Sequence, residues 1–241
     1  MKPPLILVPC LLCDEVVWAA QRAALASVAE VHGALHGAWD SLGALAEAIV
    51  ARAPPRFAIA GHSMGGRIAL EVARRVPERL TGVALLDTGC EALPRGEPGE
   101  REALKRHALL ELARREGMRA MAGTWIQSMI HPARIADETL VNIVLDMFGR
   151  RTAEELEVQI RALLRRPDAT AVLHQLTCPA LVLCGREDLP SPPARHAEMA
   201  GQLARATLAV IPECGHMSPL ERPQAVSEAM AGWLEAVGRA A

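Results

Sequence analysis

The chain has 241 residues, a formal net charge of −2, 51% hydrophobic residues and 22% charged residues. This length and composition are typical of one soluble domain with a well-buried core. The small net charge, without a basic run beside aromatic residues, indicates that nucleic acid is not a partner. Tyrosine is absent, which excludes any mechanism that uses a phenol as acid or base.

The N-terminal apolar run, Leu5–Val8, ends at Pro9 and is far shorter than the ~20 apolar residues of a membrane span. No small-residue cleavage site follows it, so we expect no signal peptide, no membrane contact and a cytoplasmic location. In a reducing compartment the six cysteines are expected to be free thiols. They are Cys10, Cys13, Cys90, Cys178, Cys184 and Cys214. We further expect a small-molecule substrate, no metal and no cofactor, and a monomer or homodimer.

Largely apolar runs alternate with helical patterns along the first 87 residues. Short apolar runs indicate strands buried inside a parallel sheet. The predicted strands are Leu5–Val8, Val28–His32, Phe57–Ala60 and Leu80–Leu86. The predicted helices are 14–26, Leu42–Ala51 and Arg67–Val76.

The strand pattern disappears between Thr88 and about Gln175. Because an all-helical stretch has no strand with which to pair, it predicts a cap inserted over the sheet. The predicted cap helices are Arg101–Arg115, Met118–Ile130, Arg134–Phe148 and Ala153–Leu164. The alternation then resumes with strands at Ala180–Cys184 and Ala206–Ile211 and helices at Ala194–Leu203 and Gln224–Val237.

These elements predict an α/β fold, a doubly wound, mostly parallel sheet of about six strands with an inserted helical cap. The core is predicted to comprise residues 1–87 and 176–241, and the cap residues 88–175. In such sheets ligands bind beyond the carboxyl ends of the strands. The residues that follow each strand are therefore the candidates for a functional site.

One such candidate segment, Gly61–Gly66, reads Gly-His-Ser-Met-Gly-Gly and lies between a predicted strand and a predicted helix. A serine on a sharp strand-to-helix turn projects its hydroxyl above the sheet, and the turn has no room for side chains two residues away on either side. Ser63 is therefore a candidate nucleophile. The alternative is that Ser63 is only a turn residue with no catalytic role.

Two further candidates follow later strands: Asp188 comes after Ala180–Cys184, and His216 comes after Ala206–Ile211. A nucleophilic serine needs a base to take its proton and a carboxylate to orient that base. Ser63, Asp188 and His216 occur in the chain order that this kind of sheet requires.

With these motifs the chain resembles the α/β-hydrolase superfamily, in its group of small capped enzymes, over essentially its whole length. The matching segments are the elbow Gly61–Gly66, the acid segment Leu183–Asp188 and the histidine segment Gly215–Pro223. Family members usually begin with two further strands, for which the segment before Leu5 is too short.

The resemblance implies that the backbone N–H groups of Leu11 and Met64 form an oxyanion hole. The family usually has His-Gly where this chain has Pro9 and Cys10. Replacing glycine removes backbone freedom, so the geometry of this loop is expected to differ from the usual one.

The resemblance also implies acyl transfer, in which His216 deprotonates Ser63, Ser63 attacks a carbonyl, and water cleaves the acyl-enzyme while Asp188 orients the histidine. We therefore predict a carboxylesterase-like serine hydrolase acting on an ester, lactone or thioester of a small to medium carbonyl substrate. A hydrolase of carbon–carbon bonds, a lyase or an acyltransferase using the same residues is the alternative. A slow or inactive ligand receptor is an alternative from another class.

Several residues admit more than one interpretation. Glu187 and Asp87 compete with Asp188 as the acid, and His62 is predicted to line a pocket or to pack rather than to act as a second base. The Cys10–Cys13 pair follows a strand, where a thioredoxin-like redox pair would also lie.

A helical stripe in the cap is predicted to pack against the sheet. Its members are Met118, Met121, Ala122, Trp125, Ile126 and Met129. If the cap covers the site, then Trp125, Met121 and Met129 would line an apolar substrate pocket.

Overall fold

The computed structural model of the chain describes residues 2–34 and 39–240. Six parallel strands form one sheet in the order β2-β1-β3-β4-β5-β6. The strands are β1 Pro4–Val8, β2 Glu30–Gly33, β3 Phe57–His62, β4 Leu80–Leu86, β5 Ala180–Gly185 and β6 Ala206–Ile211. The predicted doubly wound α/β sheet with a helical insert is confirmed.

Helices surround this sheet and form the insert between β4 and β5. They are α1 Ala19–Leu25, α2 Leu42–Arg52, α3 Met64–Arg75, α4 Glu97–Glu116, α5 Met118–Trp125, α6 Glu138–Gly149, α7 Ala153–Leu164, α8 Thr170–Leu173, α9 Pro193–Gly201, α10 Ser218–Glu221 and α11 Pro223–Ala240. No helix in the described ranges is both long enough and apolar enough to cross a lipid bilayer.

The direction in which the chain crosses the sheet reverses between β1 and β3. The chain moves outward from β1 to β2 and then returns to β3 on the other side of β1. Because crossover connections are right-handed, the helices before and after the reversal cover opposite faces. Accordingly α1 packs against α11, whereas α2 and α8 pack against α3. Such a reversal opens a crevice at the carboxyl ends of β1 and β3.

Burial decreases from the centre of the sheet towards its edges. All residues of β3 and β5 are buried, and those of β1 are buried after the first. The edge strand β2 is short and mostly exposed, as is usual for edges that would otherwise pair with another chain. The crevice therefore lies at the end of the most deeply buried part of the sheet.

Three cap helices differ from their predicted bounds. The helix predicted at Arg101–Arg115 runs from Glu97 to Glu116. The helix predicted at Met118–Ile130 ends at Trp125 and continues as a 3₁₀ turn, Ile126–Ser128. The helix predicted from Arg134 begins at Glu138 because the Asp137 carboxylate accepts the Leu140 N–H and caps its start. Local capping chemistry, which apolar periodicity does not report, sets this start.

The turn between β3 and α3 depends on two glycines. Ser63 has a φ of 54°, in the left-handed region. A Cβ at Gly61 would collide with the backbone of Gly65, and a Cβ at Gly65 would collide with the carbonyls of Val8 and Pro9. Glycine at these positions allows the first turn of α3 to lie directly against the end of β1.

This close approach predicts opposite effects for two helical glycines. We expect Gly65→Ala to reduce the free energy of unfolding by about 1–3 kcal/mol or more, since the added methyl group meets backbone that has no rotamer to change. Gly232→Ala on α11 is the matched control, because its added Cβ would meet no heavy atom within 4 Å apart from the adjacent backbone of α11 itself. It should raise the free energy of unfolding by about 0.5–1 kcal/mol. Equilibrium denaturation measures both, and equal stability of the two variants would contradict the close approach.

Candidate active site

Ser63, His216 and Asp188 meet above the carboxyl ends of the strands. The Ser63 hydroxyl lies 2.8 Å from His216 Nε2, and His216 Nδ1 lies 2.9 and 3.0 Å from the two carboxylate oxygens of Asp188. When Nδ1–H donates to Asp188, Nε2 is left as the acceptor for the serine hydroxyl. This arrangement can transfer a proton from the hydroxyl to the imidazole.

Of the three carboxylates that compete as the acid, Asp188 is the one in contact with the His216 ring. Its carboxylate is buried and also accepts the Ser191 N–H at 2.8 Å. Glu187 instead accepts the Cys214 N–H at 3.0 Å. The turn after β5 thus aims the second of two adjacent acids at the histidine.

Asp87, the third competitor, belongs to a buried network beneath the histidine. Its carboxylate accepts the Gly185 N–H at 3.0 Å and the Ser218 hydroxyl, and lies 3.3 Å from His62 Nε2. Burial by itself would raise the pKa of Asp87, but its contacts with His62, His216 and Ser218 outweigh burial and lower that pKa. The charge of Asp87 therefore lies inside the protein close to the His216 imidazole.

His62 supports the histidine loop. It is fully buried, and its Nε2 lies 2.7 Å from the His216 carbonyl oxygen. Its ring also packs edge-on against Trp18, with centroids 6.3 Å apart. The second-base alternative gains no support from these contacts, since Nε2 points at the His216 backbone rather than at the Ser63 hydroxyl.

A single carboxylate, Glu221, ties the histidine loop to the cap. It is buried and accepts the backbone N–H groups of Gly215, Met217 and His131 at 2.7 to 3.1 Å. Desolvation raises its pKa, although these three hydrogen bonds act in the opposite direction. Glu221 thus joins the loop that carries His216 to a segment of the insert.

The electrostatic surroundings favour a protonated His216. Burial acts to lower its pKa, but the charge and hydrogen bond of Asp188, together with the charges of Asp87 and Glu221, outweigh burial and raise the pKa above its ordinary value of 6.5. An imidazole in these surroundings is a stronger base than one in water.

The predicted oxyanion donors lie beyond the carboxyl ends of β1 and β3. Met64 is the first residue of α3, where an N–H has no partner within its own helix. Leu11 is the second residue of a turn that runs from Cys10 to Cys13 and is closed by the Cys13 N–H donating to the Cys10 carbonyl at 3.1 Å. Within the described residues neither the Leu11 amide nor the Met64 amide donates a hydrogen bond, so both remain free to bind a ligand.

The prediction of six free thiols is wrong for two of them. Cys10 and Cys13 form a disulfide, because the turn brings their Cα atoms to 5.2 Å, within the range that a disulfide spans. Both cysteines are buried. The remaining cysteines, Cys90, Cys178, Cys184 and Cys214, are free thiols in the structure.

The predicted pocket residues separate into two groups. Met121 and Trp125 lie in α5, whose main contacts are with α4 and α6 inside the insert. The Trp125 ring lies 4.8 Å from that of Phe148. Met129, in contrast, reaches the site, because its carbonyl accepts the His216 N–H at 2.6 Å.

The sequence did not identify two polar cap residues that contact the Cys10–Cys13 turn. Gln159 and Arg151 bind its backbone with hydrogen bonds of 2.8 to 3.2 Å. The one signal in the sequence was the position of Gln159 on the apolar face of α7, beside Leu156 and Ile160. A buried amide at such a position needs a partner, but the sequence does not say which.

Known proteins resemble this chain in sequence and in fold. A pimeloyl-[acyl-carrier protein] methyl ester esterase of Nitrosomonas europaea is 29% identical over 197 residues, which are 80% of this chain and 77% of that protein. A 2-succinyl-6-hydroxy-2,4-cyclohexadiene-1-carboxylate synthase of Serratia proteamaculans is 28% identical over 184 residues, covering 74% of this chain and 68% of that protein.

A solved structure of a thermophilic esterase from Thermogutta terrifontis superimposes with a TM-score of 0.85 at 26% identity, covering 98% of this chain and 91% of that one. An enol-lactonase from Burkholderia xenovorans superimposes with a TM-score of 0.83 at 24% identity, covering 98% and 92%, and shares the fold. The sequence model described as the alpha/beta hydrolase family matches residues 9–229, which are most of the chain. The chain belongs to the alpha/beta hydrolase family.

Proposed function

We propose that this protein is a serine hydrolase that cleaves an ester, lactone or thioester of a small to medium carbonyl substrate through an acyl-enzyme at Ser63. The observation that carries the proposal is the unbroken chain of hydrogen bonds from the Ser63 hydroxyl through His216 to Asp188, with lengths of 2.8 and 2.9 Å. Membership of a hydrolase family and likeness to esterases support it.

In the proposed mechanism His216 Nε2 takes the proton of the Ser63 hydroxyl while the serine oxygen attacks the carbonyl carbon. The oxygen that becomes negative accepts the backbone N–H groups of Leu11 and Met64. His216 then returns the proton to the leaving group, and the acyl-enzyme forms. A water molecule, deprotonated by His216, attacks the acyl carbon. The bond between that carbon and the Ser63 oxygen then breaks, His216 returns the proton to the serine oxygen, and the acid is released. Asp188 orients the imidazole and stabilises its protonated form.

A second candidate function is an enzyme that uses Ser63, His216 and Asp188 to cleave a carbon–carbon bond, or to carry out a reaction in which water is not the acceptor. The likeness to the Serratia synthase supports it, because that protein's name denotes chemistry other than ester hydrolysis. A substrate panel that includes esters and carbonyl compounds with a cleavable carbon–carbon bond separates the two candidates by the product released.

The role of Ser63 is tested by its alanine variant. We expect Ser63→Ala to lower kcat on p-nitrophenyl esters by roughly 10⁴–10⁶-fold, because no other hydroxyl lies at the His216 Nε2 atom in the described structure. A fluorophosphonate should label the wild type at Ser63 and leave the variant unlabelled. Ser27→Ala, in an exposed turn, is the matched control. Turnover retained in a folded Ser63→Ala protein would contradict the mechanism, and absent labelling of the wild type would favour a ligand receptor.

The raised pKa of His216 predicts the pH dependence. The imidazole must be neutral to accept the serine proton, so kcat/KM should fall as the pH drops through a midpoint above 6.5. Asp188→Asn removes the charge that contributes most to raising this pKa, so the midpoint should move to lower pH while the maximal rate falls by roughly 10³–10⁴-fold. Asp146→Asn, exposed on the cap, serves as control. An acid limb unchanged by Asp188→Asn would show that Asp188 does not set the basicity of His216.

A further inference from the structure

The Asp87 carboxylate is surrounded by donor groups from three segments of the chain. Its Oδ1 accepts the N–H of Gly185, the last residue of β5, at 3.0 Å. Its Oδ2 accepts the Ser218 hydroxyl and lies 3.3 Å from Nε2 of His62, the last residue of β3. His62 Nε2 also lies 2.7 Å from the His216 carbonyl oxygen. Because a carbonyl oxygen only accepts, this nitrogen carries a proton and is a donor as well.

Each of these donors belongs to a segment that carries one residue of the proposed mechanism. His62 is joined directly to the nucleophile, and Ser218 lies two residues beyond His216. Gly185 begins a turn that the Asp188 N–H closes by donating to the Gly185 carbonyl at 3.3 Å. One side chain therefore fixes the nucleophile, acid and histidine segments relative to one another.

An ionised carboxylate suits this position. It only accepts hydrogen bonds and has room for several donors, and its charge makes each of these bonds stronger than a bond to a neutral oxygen. Burial acts to raise the pKa of Asp87, but the contacts with His62, His216 and Ser218 lower it below its ordinary value. Asp87 is therefore charged near neutral pH although its side chain is fully buried.

Asp87 also has an uncommon backbone conformation. Its φ is 48°, in the left-handed region, which few residues other than glycine adopt and in which asparagine and aspartate are enriched. Its N–H donates to the Leu183 carbonyl at 2.9 Å. Residues in such conformations persist where the surrounding contacts fix them. The position thus requires a side chain that tolerates a left-handed backbone and accepts from several donors.

From these contacts we infer that Asp87 is a positioning residue for catalysis: its carboxylate holds the nucleophile, acid and histidine segments together and places a fixed negative charge beneath the His216 imidazole. The inference rests on the proposed function, in which the three segments cooperate in acyl transfer. In this role Asp87 acts through the imidazole and the backbone of the three segments.

Other titratable groups face His216 or Asp87 in the described part of the chain. They are Asp188, Glu221, His62, His196, Cys184 and Cys214. Burial and the charge of Asp87 raise the pKa of Cys184 to about 12 and also raise that of Cys214, so both thiols stay neutral in the acid range. Burial lowers the pKa of His196, whose Nε2 accepts the Thr88 N–H at 3.0 Å. Replacing Asp87 alone leaves all of these groups in place.

Asp87→Asn is the main variant, because asparagine has nearly the same shape and also tolerates a positive φ. It removes the charge and turns an NH₂ group towards donors. We expect kcat on p-nitrophenyl esters to fall by roughly 10–100-fold and KM to stay within about twofold. The midpoint of the acid limb of kcat/KM should move to lower pH, since the charge that raises the pKa of His216 is lost. This shift should be smaller than in Asp188→Asn, because Asp188 contributes more to raising that pKa.

Two control variants separate the charge from general damage to the site. Ser218→Ala removes one donor but keeps the Asp87 charge, so it should lower kcat less and leave the midpoint in place. Asp146→Asn makes the same change at an exposed carboxylate of the cap and should behave like the wild type. Should Asp87→Asn fail to fold, Asp87→Gly also removes the charge, at a residue type for which a positive φ has no steric cost, and carries the same expectation.

Three results would overturn the inference. The first is a wild-type kcat in a folded Asp87 variant, and the second is a loss of kcat without a shift of the midpoint. The third is a shift in Ser218→Ala or Asp146→Asn as large as that in Asp87→Asn, because the charge of Asp87 would then not be its cause.

An NMR titration keeps this inference separate from the proposed function. In protein labelled with nitrogen-15 histidine, the His216 imidazole signals, assigned by their loss in His216→Gln, report the His216 pKa directly. This pKa should be lower in Asp87→Asn than in the wild type. An unchanged His216 pKa overturns the inference whether or not the wild type hydrolyses esters. Absence of ester turnover and of Ser63 labelling in the wild type, combined with a lowered His216 pKa in the variant, would instead overturn the proposed function alone.

Discussion

The absence of side chains at Gly61 and Gly65 is the constraint on which the site depends. It lets the first turn of α3 lie directly on the backbone at the end of β1. The reversal of strand order between β1 and β3 then brings the turn after each strand to the same crevice. As a result the Met64 amide, the Ser63 hydroxyl and the Cys10–Cys13 turn belong to one compact unit, although residues of two separate segments build it.

Buried charge surrounds the histidine on several sides. Asp188, Asp87 and Glu221 are all carboxylates with little exposure, and each accepts backbone or side-chain hydrogen bonds that offset its desolvation. Burial without such partners would cost several kcal/mol per charge. Their shared effect is to raise the pKa of His216, so the same network that orders the histidine loop also sets the strength of the proposed base.

The insert takes part in the site through its backbone and through a few polar side chains. The Met129 carbonyl binds the His216 N–H, the His131 N–H binds Glu221, and Gln159 and Arg151 bind the Cys10–Cys13 turn. The histidine loop and the proposed oxyanion loop are thus both attached to the cap. A displacement of the insert would therefore change the surroundings of His216 and of the Cys10–Cys13 turn together.

The order of strands and helices could be predicted from the sequence, because apolar runs and helical periodicity report burial directly. Within the candidate site, Ser63, Asp188 and His216 could also be predicted, since each follows a predicted strand and the ends of parallel strands share one edge. The bounds of β4, β6 and α7 agree with their predicted ranges for the same reason. The starts and ends of the other cap helices depend on capping groups, such as the Asp137 carboxylate, which periodicity does not report.

Tertiary structure decided which polar groups meet across long stretches of chain. The sequence by itself determined the strands, the elbow and the three residues that follow successive strands, because these depend on local sterics and burial. The Cys10–Cys13 disulfide, the left-handed φ of Leu12, the contact of Gln159 with the Leu12 amide and the place of Asp87 beneath His216 could not be read from it. Each of these depends on how the insert and the loops fold back onto the end of the sheet, where the need to pair every buried polar group selects one arrangement.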